Sequence, residues 1–164
     1  MLDEIWRNGI TRKRKAERGE KIYLIKATLL FSGRYDVKGR PYRVLAIPQR
    51  FTLYRLAEAI VKSFGFYFDH PFGFYDNMWS WTESQESYEI FSDLGINGYE
   101  GHQGVRKTKT SKAFDKIRKK MLFLFDYGDE WHFAVELKGI ESPKENVSYP
   151  LTVKSVGEAP PQYG

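Results

Sequence analysis

The chain contains no cysteine, and that one absence excludes disulfide staples, zinc ribbons, thiol nucleophiles and thiolate-held clusters together. Histidine is scarce as well: His70, His102 and His132 are the only three, and none has another two or four positions on. Spacing therefore favours no metal site, and no cofactor is expected. No apolar run approaches the roughly 18–20 residues of a membrane span. The first residues pair acids with Trp6 in place of a basic and then apolar signal segment, so the expectation is a cytoplasmic protein with no membrane association. Lys and Arg are also missing altogether between Lys62 and Arg106.

What is present suits one compact domain. A chain of 164 residues, 41% hydrophobic and 16% aromatic, buries roughly 70% of its unfolded surface on folding. Its net charge of +5 conceals a segregation. Residues 11–18 hold five basic side chains and one acid, residues 106–120 hold eight and one, and residues 63–105 hold seven acids and no base. A partner responds to such local fields more than to the net charge.

Residues 1–20, with the run Arg12-Lys13-Arg14-Lys15, read as a flexible basic arm outside a domain spanning 21–164. From Ile22 to Phe31, Tyr23, Ile25, Ala27, Leu29 and Phe31 alternate with a strand period. Gly33–Gly39 supplies a turn and Tyr42–Ile47 a second strand that Pro48 ends, giving a hairpin. Leu53, Leu56, Ala57, Ile60, Val61 and Phe64 then recur at helical spacing, with Thr52 as N-cap and Gly65 placed for a left-handed C-terminus. Phe72–Phe74 reads as a further strand, with Trp79 and Trp81 continuing on a partner strand. Residues 79–105 read as an acidic, glycine-punctuated excursion. Ser111 is expected to cap a short helix turning Ala113, Phe114 and Ile117 inward. Met121–Phe125 is apolar on both faces, as a covered central strand must be. Asp126–Asp129 turns the chain into an alternating strand through Trp131, Phe133, Val135 and Leu137. The proline-rich tail from Glu141 is expected to run extended over the surface. The fold class is therefore α+β: one domain, two β-hairpins and a further strand in a mixed or antiparallel sheet packed on one main helix, β-grasp-like in order.

Four blocks resemble a known family. They are Pro41-Tyr42-Arg43-Val44-Leu45-Ala46-Ile47-Pro48 followed by Thr52-Leu53, Gly65-Phe66 with His70 and Phe74, Phe125-Asp126-Tyr127-Gly128-Asp129-Glu130-Trp131, and Tyr149-Pro150 with Gly157-Glu158-Ala159-Pro160-Pro161. Over roughly residues 21–163 the chain resembles the Ri-plasmid open-reading-frame-three-like proteins, also described as passenger proteins of insertion elements. The resemblance implies a plasmid or mobile-element setting and no established reaction. Two departures stand out. His132 adjoins Trp131 where the family carries its His one position later, which puts the ring on the other strand face. The tail ends Ala159-Pro160-Pro161-Gln162-Tyr163 in place of Cys-Pro-Pro-Glu-Asp, so no thiol function carries over.

Two constellations invite function. Asp126, Asp129 and His70 could serve as acid, base or cation ligands in a small hydrolytic or metal-assisted enzyme, although carboxylates at a glycine-containing turn also fix a hairpin through backbone N–H groups. Arg12, Lys13, Arg14, Lys15, Arg43, Arg106, Lys107, Lys116, Lys119 and Lys120 could neutralise phosphates, with tyrosines interspersed among arginines to stack on bases. Gly101-His102-Gln103-Gly104 before Lys107-Thr108 lacks the contiguous spacing of a phosphate loop and reads as a linker. A non-enzymatic module contacting nucleic acid or a partner protein is the leading expectation; the enzyme is the alternative, and a purely structural subunit the third.

Overall fold

The computed structural model describes residues 12–99 and 102–163, and strand alternation governs most of it. Its elements are β1 (Arg14–Lys15), β2 (Ile22–Ser32), β3 (Tyr42–Pro48), α1 (Leu53–Ser63), β4 (Phe72–Tyr75), a 3-10 turn at Trp81–Glu83, β5 (Ser87–Glu89), α2 (Ile90–Asp93), α3 (Thr110–Ala113), β6 (Lys120–Phe125), β7 (Trp131–Glu141), β8 (Ser148–Tyr149) and β9 (Leu151–Val156). Seven strands form one sheet in the order β5-β4-β6-β7-β2-β3-β9, antiparallel at every ladder. The mixed alternative thus resolves to an antiparallel sheet. β7 lies beside β2 and runs antiparallel to it, and the short 126–130 turn reverses β7 against β6.

The residues that alternate inward on β2, β6 and β7 meet α1 across one face. Ile25, Ala27, Leu29, Phe123, Phe125, Phe133 and Val135 are buried with Leu53, Leu56, Ala57 and Ile60. Thr52 caps the helix by accepting the Arg55 N–H at 3.2 Å. Gly65, at φ 80°, turns the chain out of it in the conformation that glycine adopts without strain.

Four expectations need correction. The part of the basic arm that is described, residues 12–20, docks on the domain: β1 pairs with β8, and Glu20 is 1% exposed in a bidentate bond with Arg14 at 2.7 and 2.8 Å. Residues 1–11 lie outside the described residues. The 79–105 excursion supplies β5, the sheet edge, and α2, while Trp79 and Trp81 form no partner strand. Ile117 faces solvent, because α3 ends at Ala113, one turn before it. The tail does more than run extended: β9 pairs with β3, lying along that strand with most of its side chains exposed, which left the sequence no buried alternation to read.

Candidate functional site

Two of the three residues singled out for chemistry meet. Asp126, buried and at φ 66°, uses Oδ1 to accept the N–H groups of Gly128 at 3.0 Å and Asp129 at 3.3 Å. Its Oδ2 lies 3.6 Å from His70 Nε2, and His70 Nδ1 lies 2.7 Å from Asp69 Oδ1. Asp129 turns elsewhere, its carboxylate 3.7 Å from Arg34 Nη1. The tail closes over this cluster. Tyr163 donates its hydroxyl to Asp69 Oδ2 at 2.5 Å; the buried Gln162 amide accepts the Tyr67 N–H at 2.7 Å and donates to the Tyr67 carbonyl at 3.0 Å. Burial and the Asp69 carboxylate push the Tyr163 phenol well above its ordinary pKa, so it remains a donor. The contacts make a latch that seats the last residues on residues 67–70. Asp69, Gln162 and Tyr163 were not legible as its members, since their meeting spans about ninety residues of sequence and only Asp69's adjacency to His70 hinted at it.

The basic residues separate into structural and surface roles. Arg43 is 8% exposed; its guanidinium donates to the carbonyls of Ser63 at 2.9 Å, Tyr42 at 2.9 Å and Gly157 at 2.9 Å. It is a clamp between α1 and the end of β9, which corrects its expected role as a contact residue. Arg14 is likewise committed to Glu20. Arg12 gives its carbonyl to Arg55 at 2.5 Å, and Arg106 lies over the Tyr54 ring at 5.4 Å. Both basic runs therefore reach the start of α1, the first through the Arg12–Arg55 bond and the second through a Thr52–Lys109 bridge. That helix start is not an open anion site: the N–H groups of Leu53, Tyr54 and Arg55 donate to the Thr108 carbonyl, the Val105 carbonyl and Thr52 Oγ1. Lys13, Lys15, Lys107 and Lys116 are exposed or partly so. Lys119 pairs with Glu86 at 2.8 Å and Lys120 with Glu136 at 3.8 Å. The 101–108 stretch is no linker where it is described, for Asp93 accepts the N–H groups of Val105 at 2.7 Å and Arg106 at 3.2 Å. A protein carboxylate occupies the place that a phosphate-loop reading would give to an anion.

A surface that sequence reasoning missed lies on the sheet face away from α1. Cross-strand register puts Lys120, Glu136, Lys26, Val44 and Lys154 in one row across β6, β7, β2, β3 and β9. The neighbouring row contains Leu122, Ala134, Thr28 and Tyr42. Lys26 Nζ lies 4.3 Å and Lys154 Nζ 5.8 Å from the Tyr42 ring centroid, and Lys138 approaches Glu136 at 3.7 Å. Beyond this row Phe31 packs edge-on against His132 at 5.1 Å, and both line a cavity of about 270 Å³ with Arg40, Met78 and Trp79. Trp79 is 92% exposed. It is held out by Asn77, whose Oδ1 accepts the N–H groups of Trp79 at 3.1 Å and Ser80 at 2.8 Å. Five bases and exposed aromatics thus share one open face with Glu136, while Glu130 pairs with His132 at 3.2 Å and Asp76 and Glu83 line a pocket with Trp79. The signal for it was a single lysine on each of β2, β7 and β9, which becomes a patch only once the strand order is known.

No helix among the described residues is long and apolar enough to cross a membrane. No curated protein matches the chain. Among solved structures it is similar to a protein of unknown function, MM3350 from Methanosarcina mazei Go1, at 22% identity and a TM-score of 0.68, over 88% of this chain and 74% of that one; the likeness is one of fold. The family model described as plasmid pRiA4b ORF-3-like protein matches residues 33–163. That span takes in the Arg43 clamp, the His70 and Asp126 latch and the Trp131 strand, and the chain belongs to the plasmid pRiA4b ORF-3-like family.

Proposed function

We propose that the protein is a non-enzymatic module that binds single-stranded nucleic acid on its open sheet face, with the β-grasp-like order of hairpin, helix and hairpin serving as the platform. The observation that carries this reading is Trp79, 92% exposed, which lines a cavity with Phe31, Arg40 and His132 on the sheet face that carries the lysine row. A contiguous apolar patch, and not a single exposed ring, marks an interaction site, and here Trp79 and Phe31 stand exposed at one cavity. Flat aromatic faces stack on bases of any sequence, and lysines on the same face neutralise the phosphates between them. A sheet face suits unpaired strands because their bases can splay onto it, whereas a duplex keeps its bases stacked inside. Along the lysine row Lys26, Lys120, Lys138 and Lys154 outnumber Glu136, so the row keeps a positive field, and the acids Asp76, Glu83 and Glu130 lie at the Trp79 end. A plasmid or mobile-element setting agrees with such a role. The Asp126, Asp129 and His70 enzyme draws less support, because one oxygen of Asp126 is committed to the turn and Asp129 to Arg34.

The test is fluorescence anisotropy with labelled oligo(U) and oligo(dT), beside a duplex of equal length. Binding to single strands that weakens steeply with salt, and that Trp79→Ala and Lys26→Glu each impair, is the expected result. Equal binding to duplex, or binding indifferent to both substitutions, would remove the sheet face from the reading. Absence of binding at low salt would remove the reading itself.

A further inference from the structure

The acidic stretch builds a second concavity at the β4–β5 edge of the sheet. Gly73 of β4 stands directly opposite Glu89 of β5. A Cβ on Gly73 would lie 2.7 Å from the Tyr75 hydroxyl and 2.8 Å from that of Tyr127; glycine here lets the Tyr75 ring fold back along the strand. The Tyr75 hydroxyl then donates to Glu89 Oε2 at 2.6 Å and takes a hydrogen bond from Tyr127 at 2.6 Å. Burial drives both phenols far above their ordinary range, so both stay neutral. Glu89 is 5% exposed, with Oε1 3.6 Å from His102 Nδ1.

Aromatic rings surround this carboxylate. The Trp81 ring lies 5.1 Å from Tyr75 and 5.6 Å from Tyr127, and Tyr99 lies 5.6 Å from His102. Tyr75, Trp81, Glu89, Tyr99 and His102, with Ser84 and other small residues, line a cavity of about 350 Å³, inside the roughly 300–1,000 Å³ range of small-ligand pockets. Aromatic faces carry negative potential and attract cations, most strongly where the site is desolvated. The segment that forms most of the cavity brings seven acids and no Lys or Arg, so His102 is, among the described residues, the one basic side chain that lines it.

We infer that this cavity binds an ammonium group, quaternary or methylated, between the rings of Tyr75, Trp81 and Tyr99 and above the Glu89 carboxylate. An anion meets the Glu89 carboxylate there. A neutral group of the same shape gains the apolar contacts but leaves the carboxylate uncompensated. The group can come from a small amine or from a methylated lysine side chain, and the chemistry is shared.

The experiment is calorimetric titration of the intact chain with choline, with its neutral tert-butyl isostere, and with a peptide containing trimethyllysine beside its unmodified-alanine counterpart. At least one cation is expected to bind, roughly ten-fold or more tighter than the neutral control, as a cation–π and carboxylate site implies. Choline alone points to a small amine; the peptide alone points to a side chain. Glu89→Gln and Trp81→Leu are each expected to weaken binding by about ten-fold, while Trp79→Ala, on the other cavity, leaves it unchanged. Should Glu89→Gln fail to fold in a thermal melt, Trp81→Leu decides, since Trp81 is only partly buried. No heat from either cation, equal binding of the neutral isostere, or unchanged binding in a folded Trp81→Leu variant overturns the inference.

Discussion

The Arg43 guanidinium carbon lies 4.4 Å from the centroid of the Phe64 ring, where the end of α1 meets the end of β9. From there the planar fork reaches the Ser63 and Gly157 carbonyls, on two elements that share no ladder. Lysine can replace neither the fork nor the stacked plane. Arg43→Lys is therefore expected to destabilise the fold by about 2 kcal/mol and Arg43→Ala by more, because buried acceptors of a charged donor are left unpaired. Urea unfolding curves measure both. In the folded Arg43→Lys protein, affinity for single strands should be unaltered, which separates a clamp from a contact.

Glu20 predicts an acid limb of stability. Burial alone would raise its pKa, but the bidentate Arg14 bond and the N–H groups of Glu17 and Arg50 outweigh it and hold the carboxyl below its ordinary 4.5. A carboxyl whose folded pKa is depressed contributes stability that is complete above its ordinary pKa and is lost as pH falls through the folded value. The melting temperature should thus decline as pH drops below about 4.5. Glu20→Gln should lower the neutral-pH value and flatten that decline. Because the remaining Arg14 is only partly buried and still lies 3.6 Å from Glu17, the neutral-pH cost is expected to be about 1–3 kcal/mol.

Asp93 predicts the order of a distant helix. Its carboxylate holds the N–H groups of Val105 and Arg106, and the Val105 and Thr108 carbonyls in turn accept from Tyr54 and Leu53 at the start of α1. Gly104 has to be glycine for this approach, since a Cβ there would collide with the Asp93 carboxylate. Asp93→Ala should speed amide hydrogen exchange at Val105 and Arg106 first and at Leu53 and Tyr54 next. Exchange in the central strands should change by no more than the global loss of stability. Unchanged exchange at Leu53 and Tyr54 would mean that the loop holds its place without Asp93.

Sequence reading recovered what is periodic and local. β2, β3, α1, β6 and β7 each bury one face or both, and their side chains alternate or recur accordingly. It lost what depends on contacts between distant segments. β9 pairs by backbone with nearly every side chain in solvent, and β5 is three residues long. Arg14 reads as free charge until Glu20 is seen beneath it, and Asp93 as one more acid until the 105–106 amides close on it. The candidate site suffered most. Lysines at 26, 120, 138 and 154 lie on four strands whose adjacency no local pattern states, whereas the conspicuous basic runs are partly spent on ion pairs and clamps.

The open sheet face predicts a specific salt dependence. Each phosphate neutralised on a single strand contributes about −0.7 to the slope of log affinity against log salt. With Lys26, Lys120, Lys138, Lys154 and Arg40 all engaged, the slope reaches about −3.5. Lys120 and Lys138 share Glu136, so their phosphates come at the cost of an existing pair and the observed slope should be nearer −2 to −3. Lys154→Ala removes an exposed charge that pairs with no acid among the described residues and should reduce the slope by about 0.7. Glu136→Gln frees two lysines and should raise affinity while steepening the slope. Trp79→Ala acts through stacking, so it should weaken binding by an amount that barely changes between low and moderate salt, about 1–3 kcal/mol. Anisotropy titrations at four salt concentrations separate the two behaviours. A Trp79→Ala loss that vanished at high salt would assign the indole an electrostatic role, contrary to a stacking platform.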